Sequence, residues 1–226
     1  MLVKVERARF EEMRKTLSEK LGKELVDESA LPSYLHSNPL IPWIVWKRLA
    51  TVLELSGEKA LSGNVLDFGC GTGSLLPSLC ATAKKVYGTD LHLDFSEQLV
   101  ADERLPADLL APEELDEHIT EKSLSLITAV EVLEHIDDSA ELLAQLKGYL
   151  RDDGLLVVSL PTENFIYGVC RAIAGFKGDY HKKNADDIHK DIEAAGFVAK
   201  ERKYLPFSLL PSLFVVTSFA KEEGAK

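Results

Sequence analysis

Cysteine is scarce in this chain of 226 residues: Cys70, Cys80 and Cys170 are widely spaced and odd in number. That argues against a disulfide framework or a zinc knuckle and predicts a reducing, cytoplasmic setting. Long apolar runs are missing as well. No stretch approaches the roughly 20 apolar residues of a bilayer-spanning helix, and the apolar segment 205–216 is broken by Pro and Ser. The opening MLVKVERARFEEMRK is charged from the start and lacks the apolar centre of a signal peptide. Stable membrane insertion is therefore not expected.

Basic charge is the third shortage. Lys and Arg number 26 against 37 Asp and Glu, for a net charge of −11. The excess is concentrated in residues 61–150, while the segments on either side are close to balanced. A protein that tracks phosphates needs a basic face, so nucleic acid is disfavoured as a partner. Gly 14 and Pro 9 with 46% hydrophobic residues is an ordinary globular composition. At about 150 residues per domain, the length suits one large α/β unit. Its first 60 residues are expected to form a helical cap on a core spanning 61–226.

The helical cap is legible from periodicity. Phe10, Met13, Leu17 and Leu21 recur at helical spacing, the chain breaks near 27–32, and a second apolar helix is predicted over 39–55, closed by Gly57. From residue 63, short apolar runs alternate with helix-length segments. Strands are predicted at 64–68, 85–89, around 104–107, 125–130 and 155–160, with a last pair at 197–203 and 212–219. Helices are predicted through about residue 83, near 95–100, after an Asp138-x-x-Glu141 capping box, at 163–174, and up to a stop at Gly196. Residues 151–154 read as a turn. This alternation implies a doubly wound, Rossmann-like, mostly parallel sheet.

Between the first strand and its helix lies Asp67-Phe-Gly69-Cys70-Gly71-Thr-Gly73. Glycines there let the backbone turn sharply and let a ligand lie against the main chain beside a helix start. The dinucleotide fingerprint G-x-G-x-x-G is not met, because Ser74 stands three residues after Gly71. A carboxylate at the strand end, Asp67, suits a cationic group better than a pyrophosphate.

Four stretches, VLDFGCGTG (65–73), VYGTD (86–90), AD-L (107–109) and LITAVEVLEHIDD (126–138), resemble class I S-adenosylmethionine-dependent methyltransferases. The similarity covers roughly residues 60–200 and points to the branch that includes ubiquinone-biosynthesis and other small-molecule methyltransferases. It implies a seven-stranded sheet with an antiparallel last strand and S-adenosylmethionine as cofactor, lying across the C-terminal strand ends. By the same resemblance, Asp67 faces the methionine end and Gly69, Cys70, Gly71 and Gly73 form the backbone wall. Asp90, with Leu91 beside it, accepts the ribose hydroxyls. Asp108 and Leu109 meet the adenine, unless Asp108 is a helix cap, and Glu131 lies under the sulfonium.

Methyl transfer from a sulfonium needs positioning more than it needs a reactive side chain. A base helps where the acceptor is a protonated hydroxyl or amine. His135, just past the fourth strand, is the candidate, its other reading being a packing or capping histidine. His181 is a weaker candidate, in a loop before a helix. Tyr34 and His36 precede the Trp43/Trp46 helix, in a region that related enzymes use as a lid, and the nearby Trp–Lys–Arg cluster could touch a membrane or a lipid-like substrate, its other reading being packing of the helix on the sheet. Two rival readings stand beside this one. Glu131, Glu134 and His135 with His181 resemble the metal constellation of small-RNA 2′-O-methyltransferases, and a non-catalytic cofactor-binding partner protein is the other. The acceptor and the oligomeric state are not legible.

Overall fold

The computed structural model describes residues 1–162, 184–206 and 212–222. Helices α1 (Arg7–Leu21), α2 (Lys23–Glu28), α3 (Leu31–Leu35) and α4 (Leu40–Leu61) come first. Then strands and helices alternate: β1 (Asn64–Phe68), α5 (Leu76–Cys80), β2 (Lys85–Thr89), α6 (Asp94–Glu103), β3 (Ala107–Leu110), α7 (Leu115–His118), β4 (Leu124–Val130), α8 (Ala140–Tyr149) and β5 (Leu150–Pro161). After α9 (Ala185–Ala194) come β6 (Phe197–Leu205) and β7 (Phe214–Lys221). The seven strands form one sheet in the order β3-β2-β1-β4-β5-β7-β6. β7 runs antiparallel to both its neighbours, and the other adjacent pairs are parallel.

Because helices cover both faces, the strands are apolar on both sides and alternate between two cores. Val65, Val86, Leu126, Val157 and Val216 point into the core built with α1–α6. Leu66, Ile127, Leu156, Val158 and Phe219 point into the core built with α7–α9. Phe10, Met13 and Leu17 are the buried stripe of α1. Phe10 stacks on Tyr34 at 4.6 Å, and Tyr34 meets Trp46 edge-on at 5.1 Å, so the N-terminal helices share the first core with the sheet.

The expected stop at Gly57 holds, its non-helical backbone (φ 68°) breaking α4, and a short further helical segment past the break buries Ala60 and Leu61. Several local expectations are corrected. The third strand begins at Ala107, because Arg104 (φ 52°) is the left-handed cap of α6. The capping box before α8 does not form: Ser139 is the cap residue, and Asp138 accepts the Ala140 N–H at 3.2 Å in a local turn. The 151–154 turn is an irregularity inside β5, where Leu124 and Leu126 of β4 pair with Leu150 and Leu155. The helix expected at 163–174 lies outside the described residues.

His189 of α9 is buried, with Nε2 3.1 Å from the Thr217 hydroxyl. Burial first, and then Arg202, push its imidazole down to about 4. The unfolded chain therefore binds the proton more readily, and this site costs stability progressively as pH falls from about 6.5 towards 4. We expect the urea midpoint of the wild type to drop across that window. In His189→Gln, which keeps a partner for Thr217, the drop should be smaller.

Candidate functional site

β1 and β4 lie side by side, yet the chain leaves β1 towards β2 and β3 and leaves β4 towards β5. Connections that part in opposite directions open a crevice at the C-terminal strand ends, where α/β sheets bind ligands. Here the crevice is a cavity of about 500 Å³ lined by the ends of β1 and β4, the glycine loop, and Ala30, Tyr34, Arg48 and Leu49 from the cap. A smaller cavity of about 190 Å³ adjoins it between Ser29–Ala30 and Asp90–His92.

The glycine loop is stitched to β2. Gly69 and Cys70 both donate N–H bonds to the Thr89 carbonyl at 2.9 Å, and Gly71 donates to Asp90 Oδ2 at 2.8 Å. Gly69 (φ 73°) needs to be glycine twice over, since a Cβ there would lie 2.6 Å from Val132. At Gly71 (φ 51°) a Cβ would meet nothing within 4 Å, so its bare main chain opens onto the cavity.

Three carboxylates stand round this backbone. Asp90 is half-buried and fixed by two N–H groups, those of Gly71 and, at 3.1 Å, His92. Asp67 is 2% exposed and accepts the Thr128 hydroxyl at 2.7 Å, β1 and β4 being in register at Asp67↔Thr128. Burial, resisted by the Thr128 bond and aided by the Asp90 charge, pushes its carboxyl up to about 7. Glu131 follows β4 in a left-handed conformation (φ 53°), which a non-glycine residue adopts only at a cost. Its carboxylate is ion-paired with Arg48 of α4.

Arg48 also lines the cavity, a residue read in the sequence only as part of the Trp–Lys–Arg cluster. It is 4% exposed, and its guanidinium lies 4.8 Å from the Phe214 ring centroid. Burial opposes its charge, yet Glu131 and then Tyr34 hold its pKa above the ordinary value. The signal was a cation on the apolar face of Ile44, Val45, Leu49 and Val52. It is not part of an exposed Trp–Lys–Arg patch: Arg48 and Trp46 are buried, and only Trp43 of the tryptophans is exposed, at 46%.

Of the other candidates, Cys70, Leu91 and His135 line the cavity, His135 as an exposed residue in the short turn Leu133–His135. Burial pushes the Cys70 thiol well above its usual range, so it stays protonated. Gly73 keeps a positive φ of 73° and packs against Leu76 and Leu99. Asp108 and Leu109 are not brought to the cavity. Both lie within β3, so Asp108 is exposed and pairs with Lys85 at 3.2 Å, and Leu109 packs over Gly88; Pro112 reaches the cavity instead. His36 is engaged locally, its Nδ1 accepting the Asn38 N–H. His181 lies outside the described residues. Among the described residues no group of three or more His, Cys, Asp or Glu could hold a metal ion, and the Glu131 carboxylate is turned to Arg48.

The raised Asp67 yields a stability prediction. A carboxyl whose folded pKa exceeds its unfolded value near 3.9 contributes stability fully below that value and loses it as pH rises through about 7. Asp67→Asn keeps an acceptor for Thr128 and removes the charge. The melting temperature of the ligand-free variant should therefore exceed that of the wild type at pH 8, with the gap shrinking towards pH 5.

Comparison with known proteins agrees with this geometry. Residues 46–202 match the family model described as a methyltransferase domain. A ubiquinone biosynthesis O-methyltransferase of Acinetobacter baylyi is 25% identical over 177 residues, 69% of this chain and 70% of that protein. Its counterpart in Glaesserella parasuis is 34% identical over 106 residues, covering 42% of this chain and only 44% of the relative. In fold, the N-methyltransferase NodS of Bradyrhizobium japonicum, solved with S-adenosyl-L-homocysteine, aligns with a TM-score of 0.66 at 19% identity, over 93% of this chain and 99% of that one. With the glycine loop, the strand-end carboxylates and a family match over most of its length, the chain belongs to the methyltransferase-domain family, in its class I, S-adenosylmethionine-dependent branch.

Proposed function

We propose that this protein methylates a small-molecule acceptor in the cavity at the β1/β4 switch point, using S-adenosylmethionine. The observation that carries the reading is a bare glycine backbone, at Gly71, between two strand-end carboxylates, Asp67 and Asp90. The donor set fits that cofactor. Asp90 spends part of its acceptor capacity on two N–H groups and keeps the rest for hydroxyls. Asp67 is a buried acceptor suited to a cationic tail, and together the two would repel a pyrophosphate.

When bound, S-adenosylmethionine supplies a methyl carbon on a cationic sulfur with a neutral thioether as leaving group. The residues of this chain have to bind, orient and exclude water. Tyr34, Arg48 and Leu49 roof the cavity, and alignment of the reactants can supply several kcal/mol of the barrier. His135 lines the same cavity and is the candidate to take the proton of an acceptor hydroxyl. The acidic 61–150 segment supports a small-molecule acceptor over nucleic acid. The free thiols Cys70 and Cys80 support the cytoplasm as its setting, and among the described residues no helix is long and apolar enough to cross a membrane.

The direct test is turnover of labelled S-adenosylmethionine against a panel of quinol, lipid, sugar and amine acceptors. It goes with calorimetry of S-adenosylhomocysteine and NAD; tight binding of NAD and none of the sulfur nucleoside would overturn the reading. Asp90→Ala should weaken S-adenosylhomocysteine binding by about 1.5–3 kcal/mol, the worth of hydrogen bonds to a charged group. An unchanged dissociation constant would mean that Asp90 does not hold the ribose.

For His135→Ala, S-adenosylhomocysteine affinity should stay close to wild type while transfer to a hydroxyl acceptor slows by about 10²–10⁴-fold. Full activity in a folded variant would leave His135 as a packing residue.

A further inference from the structure

Asp67 lines the larger cavity as a buried carboxyl with little to hold its charge. It is 2% exposed, and among the described residues the Thr128 hydroxyl, at 2.7 Å, is the donor it receives. A buried carboxylate stays ionised when a cation or several N–H groups meet it. The groups around it supply neither. Asp90, at the end of β2, is a second negative charge across the glycine loop, itself fixed by the N–H groups of Gly71 and His92. Arg48 of α4 is held by Glu131 at the end of β4, with Glu134 adding to the negative field on it. The Cys70 thiol and the Tyr34 hydroxyl are kept protonated by burial, and His135, in the turn after β4, lines the same cavity. Both ionised, Asp67 and Asp90 would stand as like charges on either side of a bare main chain.

We propose that the empty site carries a proton on Asp67, and that the ammonium of the cofactor's methionine tail displaces it, so that cofactor binding releases a proton to solvent. This rests on the methyltransferase reading and adds to it a pH-dependent control of cofactor loading. The exchange balances: a neutral carboxyl and an ammonium enter, a carboxylate–ammonium pair and a solvated proton result, and no other bond is made or broken. A protonated Asp67 lets the cavity stand empty without an unpaired buried charge. Burial lifts this carboxyl to about 7, so the exchange falls where small changes of pH alter loading. The sign follows from linkage. A ligand that binds the ionised form binds more tightly as pH rises, and its affinity levels off above the pKa of the empty site. The proton that supports the ligand-free fold is the one the cofactor has to expel, so acid favours the empty protein over the loaded one.

The test uses the full chain with two probes: S-adenosylhomocysteine, whose tail carries the ammonium, and 5′-methylthioadenosine, which lacks the tail. Calorimetry at pH 7 in phosphate and in Tris, buffers with different heats of ionisation, counts the protons released. S-adenosylhomocysteine should release about half a proton per molecule bound, and 5′-methylthioadenosine none. Affinity for the first should rise about tenfold from pH 6 to pH 8 while affinity for the second stays level. Asp67→Asn should bind S-adenosylhomocysteine with no proton release and no slope over that range. Thr128→Val removes the donor that favours the carboxylate and should move the midpoint of the slope to higher pH. Asp90→Asn removes the neighbouring negative charge and should move it lower.

Near-ultraviolet circular dichroism serves as the folding control, and where Asp67→Asn does not fold, the midpoints of Thr128→Val and Asp90→Asn decide. Equal heats in the two buffers overturn the proposal. So does proton release that survives Asp67→Asn, which would assign it to another group such as His135, or release of the same size with 5′-methylthioadenosine. Midpoints that stay in place in both Thr128→Val and Asp90→Asn overturn it as well. If the wild type binds neither nucleoside, it is the underlying methyltransferase reading that falls.

Discussion

The cavity exists because β1 and β4 are hydrogen-bonded neighbours whose following segments turn away from each other. The register Asp67↔Thr128, Phe68↔Ala129 brings two strand ends level, and each must then reverse direction within a few residues. On the β1 side the reversal uses positive φ at Gly69, Gly71 and Gly73; on the β4 side it uses positive φ at Glu131, which has a Cβ. The same ladder sets Thr128 against Asp67, so the geometry that opens the crevice also fixes the carboxylate inside it. Chain direction, loop chemistry and polar lining are consequences of one strand pairing.

Burying charge there is expensive, and the structure answers the cost in two ways. Asp67 takes one hydroxyl bond and a raised pKa, so near neutral pH its charge is only partly expressed until a cation arrives. Arg48 cannot discharge, so it is paired with Glu131. The Arg48 side is buried and the Glu131 side partly exposed, and ion pairs that give up solvent contribute little net stability over an apolar replacement. The pair also joins the cap to the C-terminal end of β4, the central strand, at a residue with a disfavoured backbone conformation.

Most of the fold was legible because the hydrophobic period changes at residue 63 and because buried parallel strands read as short apolar runs. What misled was local. Asp108 looked like a strand-end residue because Leu109 and Leu110 were not counted into β3, and two further residues of strand moved it away from the cavity edge. The glycine loop, Asp67 and Asp90 were readable in the sequence because the glycine spacing and the two strand ends place them there. Tyr34 was flagged only by its neighbourhood and Arg48 only as part of the Trp–Lys–Arg cluster, since its partner Glu131 lies more than eighty positions away.

Net charge proved a poor guide to the site and local context a good one. Most of the acidic residues of the 61–150 segment are solvated, and several sit in exposed ion pairs: Asp94 with Lys20, Asp102 and Glu103 with Arg9, Asp108 with Lys85. Exposed pairs of this kind are worth little and say nothing about chemistry. Besides Asp90, the charges that line the cavity are embedded in apolar sequence: Asp67 in Val-Leu-Asp-Phe, Glu131 in Ala-Val-Glu-Val, Arg48 in Trp-Lys-Arg-Leu. An ionisable group between residues bound for a core is desolvated with them, and that penalty has to be met by a partner. For Asp67 the partner is a threonine hydroxyl and for Glu131 it is Arg48; for the remaining donor of Arg48, at Nε, the protein supplies none.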